Sequence, residues 1–483
     1  MLMLEWLLVL CWILIGFVIA RYVGVRGNLL AIVALPVGVS VTLAFALVQF
    51  VLPLPSWPLL ALLGAIVVAL LLLTLDVYRR TMSREWRSLL LASLVASVAV
   101  AIQLWLPLRN WSTDSLYYLE FSTQLATDNF SNGYLGEIEK RLLAVPVLHG
   151  FAIQLGVGDH LRTIGGLFAL CILFLVWWLL RSRLRGSYRT AADVAGVAAA
   201  LSLVTFNRFI FHTFYINSHL FVALIMLMIA GLLWARIVGF ELGSSPDGLA
   251  IVATLVVPAL VVSRAEGGLL ALIIGIGFLT QASGRAPLVY MATAGASIAV
   301  WNFGMVLAAM STDVEPSRSA LLMLALGVAT IPASVVILRM PAAWRSFLPF
   351  VFEASLWAFL LAMVIRDDEI LLKSAQATFV NLAGFEGGWG VTGLIFVGLC
   401  VLAIAGYRCR EDLILRLAVT TFVPLSFLLA YLREGAYRVG DGDSLNRMWM
   451  HLLPIALVFV VQRFALNRLR VPTYLSQKVT NSA

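Results

Sequence analysis

Four short stretches of this chain hold side chains whose types and spacing could do chemistry. Ser263-Arg264-Ala-Glu266-Gly-Gly lies between two apolar runs. Arg264 either pairs with Glu266 there or meets an anion, since its planar fork suits phosphate bidentately. Arg433 to His451 carries Arg447, an interfacial anchor or a phosphate ligand, and Asp441-Gly-Asp443, a metal-binding pair or a polar turn. Asn207 to His219 carries His212 and His219, a pair seven residues apart that suits either a metal or the snorkelling tips of an interface, with Tyr215 and Asn217 between them. Arg109 to Glu120 carries Asp114, the first carboxylate after a long apolar run. It either serves a site or caps a helix.

These groups need elements to hold them, and the composition says which. Of 483 residues, 62% are hydrophobic and 12% charged, about half the charged share of a soluble protein. Apolar runs near the length of a bilayer crossing recur along the chain. The sequence therefore predicts an all-α polytopic membrane protein and excludes soluble enzymes, nucleic-acid binders and disulfide scaffolds. Candidate spans are 4–20, 29–52, 58–76, 88–107, 163–180, 191–206, 218–235, 248–263, 266–282, 287–310, 319–338, 346–365, 389–407, 417–432 and 448–462. The first is read as a retained helix, because no basic segment or small-residue cleavage site accompanies it. Cys11, Cys171 and Cys400 fall in apolar runs and Cys409 in a basic loop, so neither zinc nor a disulfide is expected.

Charge decides the sidedness. With the N-terminus outside, most Arg residues fall in inside loops and most acids outside, which is the positive-inside pattern. The C-terminus is then cytoplasmic, and all four stretches lie on the outer face. That face also carries two long loops, 108–161 and 366–388. In the first, Tyr117, Tyr118 and Phe121 are spaced for an amphipathic helix at the interface. Glu137, Glu139, Lys140 and Arg141 follow, then an apolar stretch from Leu142 to Gly156, so this loop should fold back on the membrane. Glu353 stands alone inside a span and is read as bonding a neighbouring helix.

Taken together, these residues resemble the GT-C superfamily of integral-membrane glycosyltransferases, which use polyprenyl-phosphate-linked donors. Asp114, Tyr117-Tyr118, Glu120 and Arg141-Leu-Leu-Ala-Val-Pro146 are similar to that family's first outer loop. Ser263-Arg264 stands where many members carry a basic residue near the donor phosphate. Asn446-Arg447-Met-Trp-Met-His-Leu-Leu-Pro454 resembles the start of a late helix in the same enzymes. Three spans precede the helix that opens the usual family module, and no large outer C-terminal domain is present. The resemblance implies a bundle of about 13–15 transmembrane helices: extra helices over 1–87, a GT-C-like module over 88–310 with its catalytic loop at 108–161, and further helices with outer loops over 311–483.

The resemblance also implies a chemistry. Asp114 would be the general base of an inverting transfer. Arg264, Arg447 and Arg141 would bind the donor phosphate. Tyr117, Tyr118, Glu137, Glu139, Asn217, His219 and Glu266 would contact substrate. The partners are a polyprenyl-phosphate sugar and a lipid-linked or glycan acceptor. A lone carboxylate weighs against an obligatory divalent metal, and no other cofactor is implied. Three lysines against thirty arginines suggest a GC-rich bacterial genome, hence a bacterial cytoplasmic membrane and cell-envelope glycan synthesis. The rival class is a lipid-linked glycan flippase or secondary transporter, which predicts functional polar groups near mid-bilayer.

Overall fold

The structure is a computed structural model. It describes residues 2–52, 57–78, 85–105, 113–127, 142–184, 188–239, 244–366, 368–407, 409–432, 439 and 444–467. Among the described residues there are helices and no strands. The chain opens with α1 (Leu2–Tyr22), α2 (Gly27–Val51), α3 (Trp57–Tyr78) and α4 (Trp86–Trp105). Two shorter helices follow, α5 (Thr113–Thr127) and α6 (Ala144–Gln154), both within the long loop expected at 108–161. Next come α7 (Ile164–Arg181), α8 (Arg189–Leu203), α9 (Asn207–Thr213), α10 (His219–Val238), α11 (Pro246–Leu255), α12 (Val257–Val261) and α13 (Gly267–Gln281). The last third holds α14 (Ala286–Met310), α15 (Arg318–Arg339), α16 (Ala342–Arg366), α17 (Asp368–Ala383), α18 (Gly390–Ala405), α19 (Leu413–Leu432) and α20 (Ser444–Val461).

Nine helices among the described residues are long and apolar enough to cross a membrane, or ten if the bent pair α8–α9 counts as one span. The chain is thus a polytopic helical protein of membrane-spanning character. The remaining spans expected from sequence are shorter apolar helices or broken ones. The bend between α8 and α9 is 73°. Pro258 opens α12 one residue after the break from α11, where its missing N–H costs no hydrogen bond. The second expected loop, 366–388, is mostly the helix α17.

α10 is the axis of the bundle. It is apolar on every side and buried along almost its whole length, and it packs on α7, α11 and α20. It ends at Gly239 in the left-handed conformation (φ 75°), which glycine adopts without steric cost. α1 and α2 cross closely because both contribute glycine at the contact. A Cβ on Gly38 would lie 1.9 Å from the Trp12 carbonyl oxygen, and one on Gly16 1.8 Å from that of Ala34. α2 also packs against α7, α12 and α14, so the N-terminal helices are built into the core. At the other extreme, α16 has only Pro349 fully buried, and the rest of its described side chains are half-buried or exposed.

The bundle has two polar ends. At the lower end Arg183 pairs with Glu411 (3.0 Å), Trp234 donates to Asp412 (3.0 Å) and Arg236 pairs with Asp247 (3.2 Å). The upper end is tied by Glu5. Its Oε1 accepts from the backbone N–H groups of Arg162 and Thr163 (2.7 and 2.8 Å) and from the Thr163 hydroxyl (2.8 Å). A carboxylate from the first turn of α1 thereby caps the entry to α7. Glu353, expected to bond a neighbouring helix, forms a two-pronged pair with Arg416 of α19 (2.7 and 3.1 Å).

Candidate functional site

The starts of α5, α10, α13 and α20 converge at the upper end. Asp114 lies in the first turn of α5, where a carboxylate suits the helix dipole. Arg447 lies in the first turn of α20. Arg447 Nη1 donates to Asp114 Oδ2 at 2.5 Å. The Tyr215 hydroxyl, from the turn between α9 and α10, donates to the same oxygen at 3.3 Å and accepts from Arg447 Nη1 at 3.2 Å. The three side chains close a triangle. Asp114 is 30% exposed and Arg447 12%, so this layer is open from above.

A second layer lies one turn deeper and is closed. His451 stands four residues after Arg447, on the same face of α20. Its Nε2 is 2.9 Å from His219 Nδ1, with the rings stacked at 4.9 Å, and its Nδ1 is 3.7 Å from Glu266 Oε1. Arg264 Nε donates to that same Glu266 oxygen at 3.1 Å. Burial disfavours the Arg264 cation, but the Glu266 carboxylate beside it outweighs this and raises its pKa. Gly267 lets the chain turn tightly here, because a Cβ would sit 2.0 Å from the Leu260 carbonyl oxygen. Asn217 joins the layers: its Oδ1 accepts from the His219 N–H (2.9 Å), and its Nδ2 is 3.0 Å from His212 Nδ1. Tyr118, one turn beyond Asp114 on α5, places its hydroxyl 3.4 Å from Ser218 Oγ.

The first turn of α20 is fixed from its far side. Asn446 Nδ2 donates to the Gly387 carbonyl at 3.0 Å and Trp389 Nε1 donates to Asn446 Oδ1 at 2.5 Å, while buried Arg208 donates to the same Gly387 oxygen. Beyond this turn an apolar cavity of about 460 Å³ opens between α16, α18, α19 and α20.

Of the residues singled out in the sequence, Asp114, Tyr118, Asn217, His219, Arg264, Glu266 and Arg447 gather in these two layers. Arg264 pairs with Glu266. Tyr117 is exposed, unlike its buried neighbour Tyr118. Glu137, Glu139, Arg141 and the Asp441–Asp443 pair lie outside the described residues. His212 and His219 do not share a helix face: they sit on α9 and α10, and Asn217 bonds the first. No group of three His, Cys, Asp or Glu side chains that could hold a metal occurs among the described residues. In the sequence Tyr215 reads only as an aromatic anchor at the interface, and His451 carries no role of its own. His451 had a usable signal in its i, i+4 spacing from Arg447, whereas nothing in the sequence aims Tyr215 at Asp114. No family model, no curated protein and no solved structure matches this chain.

Proposed function

We propose that the protein is a membrane glycosyltransferase that moves a sugar from a polyprenyl-phosphate donor to a lipid-linked or glycan acceptor at the outer face. The observation that carries this reading is the Asp114–Arg447–Tyr215 triangle, a carboxylate beside a guanidinium at the open end of an apolar bundle. Such a pair is what the chemistry requires. The acceptor hydroxyl attacks the anomeric carbon as the bond to the phosphate oxygen breaks, with inversion. Asp114 takes the hydroxyl proton, and the electron pair of the breaking bond leaves on the polyprenyl phosphate. An arginine beside the leaving group meets that developing charge. A guanidinium has five N–H donors, so Arg447 can hold Asp114 and still present another edge to phosphate. Arg264, one layer below, adds positive charge whose net effect Glu266 tempers. The proposed orientation puts the N-terminus and this end of the bundle outside and the C-terminus in the cytoplasm.

The flippase or transporter reading has one observation in its favour. The apolar cavity beside α20 has Glu353 in its wall, well away from the upper cluster. Binding of undecaprenyl monophosphate to the purified protein separates the readings when combined with turnover. Saturable binding lost in Arg447→Ala and weakened in Arg264→Ala, with sugar transfer lost in Asp114→Asn, supports the transferase. Lipid movement between leaflets that survives Asp114→Asn supports the flippase.

A further inference from the structure

The cavity between α16, α18, α19 and α20 runs along α18 from Trp389, at its N-terminus, to Ile404 near its other end. At 1.5 Å per residue that is about 22 Å. Its walls are almost entirely apolar, with Phe396 and Cys400 about midway and below. Its polar groups are placed unevenly. At the upper part, the Trp449 indole N–H has no hydrogen-bond partner among the described residues, and Trp389 is bonded to Asn446, the neighbour of Arg447. At the lower part lie Glu353, locked to Arg416, and Thr420, one turn further along α19. Thr420 is buried at 6% exposure, and its hydroxyl also has no partner among the described residues.

We propose that this cavity is a sleeve for one long isoprenoid chain, entered over the first turn of α20, with Glu353–Arg416 and Thr420 as its floor. The inference rests on the donor reading above and deepens it by assigning the chain a place and a lower limit. Trp449 offers a donor where the acceptor-only phosphate end of such a lipid would enter. The apolar middle suits a hydrocarbon and nothing polar. The ion pair and hydroxyl below offer a hydrocarbon no compensation for displacing their own partners or water, so the chain ends there or turns outward into lipid.

Two native cysteines make the test direct. Cys400 lines this cavity, and Cys171 lines a separate apolar cavity of about 200 Å³ between α1, α2, α4 and α7. Cys400 is eleven residues along from Trp389, about 16 Å down the sleeve. The full chain in detergent is treated with N-ethylmaleimide and labelling is followed by peptide mass spectrometry, while native mass spectrometry reports lipid bound. Undecaprenyl monophosphate at ten times its Kd should slow labelling of Cys400 about tenfold and leave Cys171 unchanged. Geranyl monophosphate, too short to reach, should leave both unchanged. Undecaprenyl monophosphate that binds without protecting Cys400 overturns the sleeve and leaves the transferase reading intact. Equal protection by phosphatidylglycerol also overturns it, since the cavity would then take any lipid. Failure of undecaprenyl monophosphate to bind at all removes the donor reading itself, and the sleeve with it.

Discussion

Arg447 and Asp114 are 333 positions apart in the chain and 2.5 Å apart in the fold, with Tyr215 touching both. A carboxylate held by a guanidinium and a phenol hydroxyl at once is fixed in orientation. Its orientation depends on α5 and α20 both starting at the same level.

Asp114→Asn keeps the shape and can still accept from Arg447, but it cannot take up a proton. Transfer is expected to fall by about 100- to 10,000-fold, the usual range for a general base. Thermal unfolding and lipid binding should stay near wild type. A radiolabelled-sugar transfer assay in proteoliposomes reads the loss, and near-normal turnover would refute Asp114 as the base.

Tyr215→Phe removes one hydroxyl from the triangle and nothing else. A hydrogen bond to a charged group is worth about 1.5–3 kcal/mol, so kcat should drop roughly ten- to a hundredfold. KM for the donor should hardly move, since the hydroxyl orients the base. A rise in KM with kcat unchanged would instead make Tyr215 a substrate contact.

The Glu353–Arg416 pair gives a stability prediction independent of function. Each side chain is 13% exposed. Glu353→Ala leaves a nearly buried guanidinium uncompensated and should cost about 3–5 kcal/mol. The double replacement Glu353→Met, Arg416→Met should recover most of that loss. Denaturation of the detergent-solubilised variants measures both, and additive losses would show that the two charges do not act as a pair.

Two glycines should behave in opposite ways. Gly38→Leu forces a side chain into the Trp12 carbonyl and should destabilise by about 1–3 kcal/mol or more. A Cβ on Gly398 of α18 meets nothing within 4 Å. Gly398→Ala should therefore be neutral or gain about 0.5–1 kcal/mol from reduced chain entropy. Thermal midpoints of the two variants compare them directly.

Much of the upper cluster was legible because a charge beside hydrocarbon is costly and must have a reason. Asp114, Arg264, Glu266 and Arg447 each stand at the edge of an apolar run, and each is found in the two layers. What could not be read was the pairing. Arg264 and Arg447 looked alike in sequence, but one is closed over a buried carboxylate while the other faces an open one. Arg416 stands one residue before the expected span 417–432, and only the earlier start of α19 at Leu413 brings it to Glu353. Segment 366–388 read as a loop because Asp368, Glu369 and Lys373 break its hydropathy. Those charges sit on the exposed side of α17, with Leu371, Ser374, Ala377 and Asn381 buried at helical spacing.

The Glu5 cap has a consequence for how the chain is made. Its carboxylate is synthesised before the three groups that satisfy it, which follow about 157 positions later. Through that interval four apolar helices are translated while α1 carries an acid with no final partner. α1 is therefore among the helices that settle late, although it precedes the other described helices in the chain. Fusing a tag that shifts Glu5 would be felt at the entry to α7, a place that no inspection of the N-terminus alone would suggest.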